Sequence, residues 1–137
     1  MKSWLTLGCI LLVLGTASIG ADAQVVVVGT KSPTTTMNKE QVAAAFMGKI
    51  AGLEPVDLTE GNPVREDFYT KEVGKSAAQM KSYWAKLSFT GKGTPPREYP
   101  NSTEVKRALA RNPNAIGYIE KTSVDASVKL VFEGAKP

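Results

Sequence analysis

Apolar residues fall along this chain in short runs that alternate with helical stripes. Val25–Val28 is a run of four valines closed by Gly29. A fully apolar run this short predicts a buried central strand. A Ser-, Pro- and Thr-rich loop follows, over residues 31–36. Asn38 with Gln41 three residues on is a capping box, so a helix starts there, with Val42, Phe46 and Ile50 towards the core and Gly48 at its end. Val56–Leu58 predicts the second strand.

The next helix is expected over Pro63–Val73, with Asn62 as its cap, Pro63 at its first position and Gly74 beyond its end. Ser76 and Gln79 make another capping box. Ala77, Met80, Trp84 and Leu87 form one apolar stripe behind it, with Tyr83 alongside. Residues 89–96 are a Gly- and Pro-rich loop. Asn101-Ser102-Thr103 matches a glycosylation sequon and also suits a helix cap, ahead of a short helix that buries Val105, Ala108 and Leu109. Pro113-Asn114 breaks that helix. Ala115–Ile119 and Val128–Phe132 predict two more strands, and Val124 a small apolar contact. Four strands interleaved with about four helices predict an α/β fold, a small sheet flanked by helices.

The two ends and the charge narrow this picture. Residues 1–23 read as a cleaved signal peptide: Lys2, the apolar core Leu5–Leu14, and the small-x-small site Ala21-Asp22-Ala23. Cys9 lies in that leader, too early in it for a lipoprotein box, so the expected product, a single domain over residues 24–137, has no cysteine and no disulfide framework. Its expected location is the periplasm. The formal charge is +4, and losing Lys2 and Asp22 with the leader leaves it unchanged. The basic residues are dispersed, which argues against nucleic acid as a partner. The sequence contains no histidine, so His-dependent triads and His-based zinc sites are excluded. No enzyme activity, cofactor or metal is expected.

The stretch Thr59–Phe68 carries the candidate chemistry. It reads strand, glycine turn, helix start, a junction at which backbone N–H groups converge on an anion. Glu60, Gly61, Asn62 and Arg65 are the candidate ligand residues there. A cation in the first turn of a helix costs about 0.3–1 kcal/mol, so Arg65 needs a compensating negative charge. Either a bound anion or an ion pair with Glu60 or Asp67 supplies it. Lys92, within Gly91-Lys92-Gly93, is a further candidate, although that loop lacks Walker spacing.

Four segments in this order resemble one family: Phe46-Met47-Gly48-Lys49-Ile50; Glu60-Gly61-Asn62-Pro63 with Phe68; Gly91-Lys92-Gly93; and Pro113-Asn114-Ala115-Ile116-Gly117-Tyr118-Ile119-Glu120. The pattern is similar to that of the phosphate-binding periplasmic proteins of ABC importers, and it matches their second lobe alone. The resemblance implies a single periplasmic-binding-protein-like lobe with a mixed sheet. It implies phosphate or a similar small oxyanion as ligand, and an ABC permease or another envelope protein as partner. A homodimer would supply the missing wall of the cleft. Glu60 and Gly61 stand at the family's acidic and glycine positions. Asn62, Pro63 and Val64 replace its serine, second glycine and threonine, and Leu58 stands where the family has arginine. Pro63 and Val64 each remove a donor, so the alternative expectation is an interaction or adaptor module that has lost its ligand.

Overall fold

The computed structural model describes residues 23–134. Residues 1–22, which hold Cys9 and nearly all of the expected leader, lie outside the described residues. Strand β1 (Gln24–Gly29) leads by way of the residue 30–38 loop to helix α1 (Lys39–Phe46), then strand β2 (Glu54–Leu58). Helix α2 (Pro63–Phe68) runs on into a π-helical turn (Tyr69–Val73), and helix α3 (Ala77–Phe89) follows. Strand β3 (Arg97–Tyr99), helix α4 (Ser102–Arg111), strand β4 (Ala115–Glu120) and strand β5 (Val128–Glu133) complete the domain.

The strands form one mixed sheet in the order β3-β2-β4-β1-β5. β2 runs parallel to β3 and β4, whereas β1 is antiparallel to both β4 and β5. The valine run is therefore interior, and Val25, Val26, Val27 and Val28 are each 0% exposed because both faces of the strand are covered.

One face carries α4. A Cβ added at Gly117 would lie 2.8 Å from Val105 on α4 and 3.1 Å from Val56, so the helix sits as close to the sheet as a bare Cα allows. The other face holds the aromatic cluster of Phe46, Phe68, Tyr69 and Tyr118, in which Phe68 and Tyr118 stack at 4.1 Å between centroids. Phe46 meets Phe68 edge-on at 4.9 Å.

The capping expectations hold. Asn38 and Ser76 form complete capping boxes with Gln41 and Gln79. Asn101, the sequon residue, accepts the Glu104 N–H at 3.0 Å and so caps α4. Each cap supplies an acceptor for an N–H that the helix leaves open, worth about 1 kcal/mol.

The sheet has five strands where four were expected. β3 is three residues long, mostly exposed and bracketed by Pro96 and Pro100, so it carries no periodic signal. Its existence depends on pairing with β2. At the opposite edge, β5 is irregular between its pairings with Val26 and Val27, and the Val131 carbonyl there accepts the Met37 N–H at 2.8 Å.

Candidate functional site

The turn after β2 forms as its residues dictate. Asn62 N–H donates to Thr59 O at 3.1 Å, closing a loop around Gly61, whose φ of +86° favours glycine. Asn62 Oδ1 accepts the Val64 N–H at 2.9 Å, and Pro63 occupies the first helical position. The junction is strand, glycine turn and helix start, in register with expectation.

Its electrostatics centre on a residue that sequence reasoning passed over. Asp57, on β2, is 3% exposed. It accepts hydrogen bonds from Tyr118 Oη, from Tyr69 Oη at 2.8 Å and from the Leu58 N–H at 2.9 Å. Arg65 Nε lies 3.7 Å from its Oδ1. Burial still pushes the Asp57 carboxyl above its ordinary range, against the lowering effect of Tyr118, Arg65 and Tyr69. Both tyrosine hydroxyls are held firmly protonated, by burial and then by the Asp57 charge. They therefore act as fixed donors.

Arg65 reaches back across the turn. Its Nη1 donates to the Leu58 carbonyl at 2.8 Å and to Glu98 Oε1 at 2.5 Å, and its guanidinium carbon stands 6.0 Å from the Tyr69 ring centre. Burial lowers its pKa, but Asp57 and Glu98 more than offset this, so the guanidinium stays charged. The compensating charge therefore comes from Glu98 and Asp57, not from Glu60 or Asp67. Asp67 instead accepts from Gln24 Nε2 at 2.7 Å and Lys71 Nζ at 2.9 Å.

A cleft of about 300 Å³ opens beside this group, bounded by Asp57, Glu60, Arg65, Lys81, Trp84 and Glu98 among others. Glu60 is largely exposed and pairs with Lys81 Nζ at 3.6 Å. Lys92 does not border this cleft, and its N–H donates to Leu87 O at 2.9 Å as the chain leaves α3. Lys81 is the lysine that reaches the turn. The helix start offers few outward donors. Pro63 has no N–H, Asn62 takes that of Val64, and the α-helical part of this segment is only six residues long. The dipole contribution is correspondingly small. Asp57 left one trace in the sequence, a charge inside an apolar run. Glu98 and Lys81 left none, because only the strand pairing and the approach of α3 bring them near.

The fold is of a recognisable class: a single α/β lobe of the periplasmic-binding-protein-like architecture, as the likeness to solved structures shows. No protein-family model matches the chain, nor does any curated protein sequence. Among solved structures it is similar to an ABC-type phosphate transport receptor from Vibrio cholerae, with 21% identity and a TM-score of 0.63, over 80% of this chain and 45% of that one. It is also similar to a putative phosphate ABC transporter substrate-binding protein with bound phosphate from Clostridium perfringens, with 22% identity and a TM-score of 0.65, over 80% of this chain and 44% of that one. PstS from Borrelia burgdorferi matches with 13% identity and a TM-score of 0.59, over 81% of this chain and 47% of that one. The chain thus spans less than half the length of these neighbours. At such identities the likeness is one of fold.

Proposed function

We propose that the chain is an exported, non-enzymatic solute-binding protein that takes phosphate or a similar small oxyanion at the turn after β2, in service of an ABC importer. The observation that carries this reading is the placement of Arg65. Its guanidinium is pinned through Nη1 at the edge of an open cleft and ion-paired through Nε with Asp57 at 3.7 Å, while Nη2 has no hydrogen-bond acceptor among the described residues. Glu60 and Glu98 nearby disfavour a fully deprotonated anion. They favour one that carries its own O–H donor, which hydrogen phosphate does and sulfate at neutral pH does not. The transport receptors that share the fold support the choice of phosphate. Among the described residues no helix is long and apolar enough to cross a membrane, and the leader expected at residues 1–23 supports export.

Titration of phosphate into the full chain in a calorimeter tests the proposal. Binding is expected with phosphate and not with sulfate, and Arg65→Ala should weaken it at least tenfold, the effect of losing a charge-assisted hydrogen bond. Absence of heat at ~50 mM phosphate, well above the weak Kd expected of one open lobe, rejects it.

A second reading has its own observation. The turn is largely satisfied from within, by Asn62 on the Val64 N–H, Glu98 and Asp57 on Arg65, and Lys81 on Glu60. That arrangement favours an envelope interaction module without a ligand. In that case Arg65→Ala changes stability and leaves phosphate titrations flat in both proteins.

A further inference from the structure

A larger cleft adjoins the first, the two sharing Trp84, Pro95 and Pro96 in their walls. In the pairing of β2 with β3, Val56 stands beside Arg97, Asp57 beside Glu98, and Leu58 beside Tyr99. Side chains alternate along a strand, so Asp57 and Glu98 face the turn already described, whereas Val56, Arg97 and Tyr99 face α4. The α4-side cleft is about 550 Å³, within the range of small-molecule sites. Glu54, Arg97 and Ala115, at the starts of β2, β3 and β4, bound it, and neither Glu60 nor Arg65 lines it.

Three features distinguish its lining. Arg97 and Arg111 both border it, and neither guanidinium has an ion-pair or hydrogen-bond partner among the described residues. The carboxylate in the lining, Glu54, is already engaged by Asn112 Nδ2 at 2.7 Å. Trp84 forms part of the wall, which the turn-side cleft shares; it is 8% exposed, and its Nε1–H is the buried side-chain polar atom that lacks a partner among the described residues. A buried donor left without an acceptor is unfavourable. Pro95 and Pro96 extend the apolar wall beside it.

We propose that this cleft is a second binding site, for an amphipathic organic anion: its oxyanion group bound by Arg97 and Arg111, its apolar body against Trp84, Pro95 and Pro96. Two unpaired arginines attract a carboxylate, sulfonate or phosphate ester and hold it through paired N–H donors. The volume is far larger than a bare oxyanion fills, so the remainder must be occupied by the apolar part. An extended peptide adding to the sheet edge is disfavoured, since β3 is three residues long and bracketed by Pro96 and Pro100, which offer no N–H.

The test uses the full chain carrying Trp4→Phe, which leaves Trp84 as the remaining tryptophan. The probe is 8-anilinonaphthalene-1-sulfonate, followed by its own emission and by quenching of Trp84. Its neutral relative N-phenyl-1-naphthylamine serves as comparison. Saturable sulfonate binding with Trp84 quenching is expected, with the neutral probe at least tenfold weaker. Arg97→Gln and Arg111→Gln should each weaken the sulfonate about tenfold. Arg107→Gln, on the same helix but outside the cleft, should leave it unchanged. Both cleft arginines are exposed, so the variants should keep the parent melting temperature. Arg65→Ala and millimolar phosphate should leave probe binding intact, so failure at one site is distinguishable from failure at the other. Equal binding by both glutamine variants and the parent overturns the proposal, as does binding without Trp84 quenching.

Discussion

A carboxylate stripped of most of its water must recover solvation from protein donors. Asp57 finds two tyrosine hydroxyls, one backbone N–H and the flank of a guanidinium. These donors do not fully replace water, so its carboxyl stays above the ordinary value of 3.8. The sign of the consequence follows from proton linkage. Between 3.8 and the raised native value, the folded state binds more protons than the unfolded state. Stability from this group is therefore greatest below 3.8 and declines as pH rises through the native value. Asp57→Asn, neutral and nearly isosteric, removes that dependence. Urea melts of both proteins across the acidic range should show the parent losing stability relative to the variant as pH rises through this window, then a constant difference. A difference that grows in the parent's favour with pH would contradict the assignment. The residue was half legible: its charge within Pro55–Leu58 is plain, but its donors, Tyr69 and Tyr118, arrive from other elements.

The packing of α4 against β4 turns on Gly117. Any Cβ there meets Val105 at 2.8 Å, with Val56 at 3.1 Å behind it. Both neighbours are β-branched and buried, hence slow to yield. Gly117→Ala is expected to cost about 1–3 kcal/mol by overpacking, read from denaturant melts; an unchanged midpoint would mean that the helix has room to retreat. Helix boundaries were legible because capping is local chemistry: Asn38, Asn62, Ser76 and Asn101 each bond within three residues. β3 was not legible, because three exposed residues between prolines acquire strand character only from β2 alongside.

A two-lobed receptor surrounds its ligand by hinge closure. This chain corresponds to under half of its structural neighbours, and its turn-side cleft is open to water. Phosphate should therefore bind weakly, with a Kd of ~1 mM or above, since few donors converge and solvent competes. If one lobe alone holds the ligand, that Kd does not change with protein concentration, as calorimetry at two concentrations will show. Affinity that rises with protein concentration, together with a doubled mass in phosphate by light scattering, would instead mean that a second copy completes the cleft.

Local chemistry along the chain was enough to specify the α/β alternation, the interior valine strand, the caps and the Gly61 turn, because each depends on neighbours a few residues away. The partners of Arg65, the hub at Asp57, the approach of Lys81 to the turn, and the two adjoining clefts arise from contacts between residues far apart in sequence. Arg65 and Glu98 are 33 positions apart, and Tyr118 and Asp57 are 61 apart. Such pairings follow from strand order, which no short-range pattern encodes.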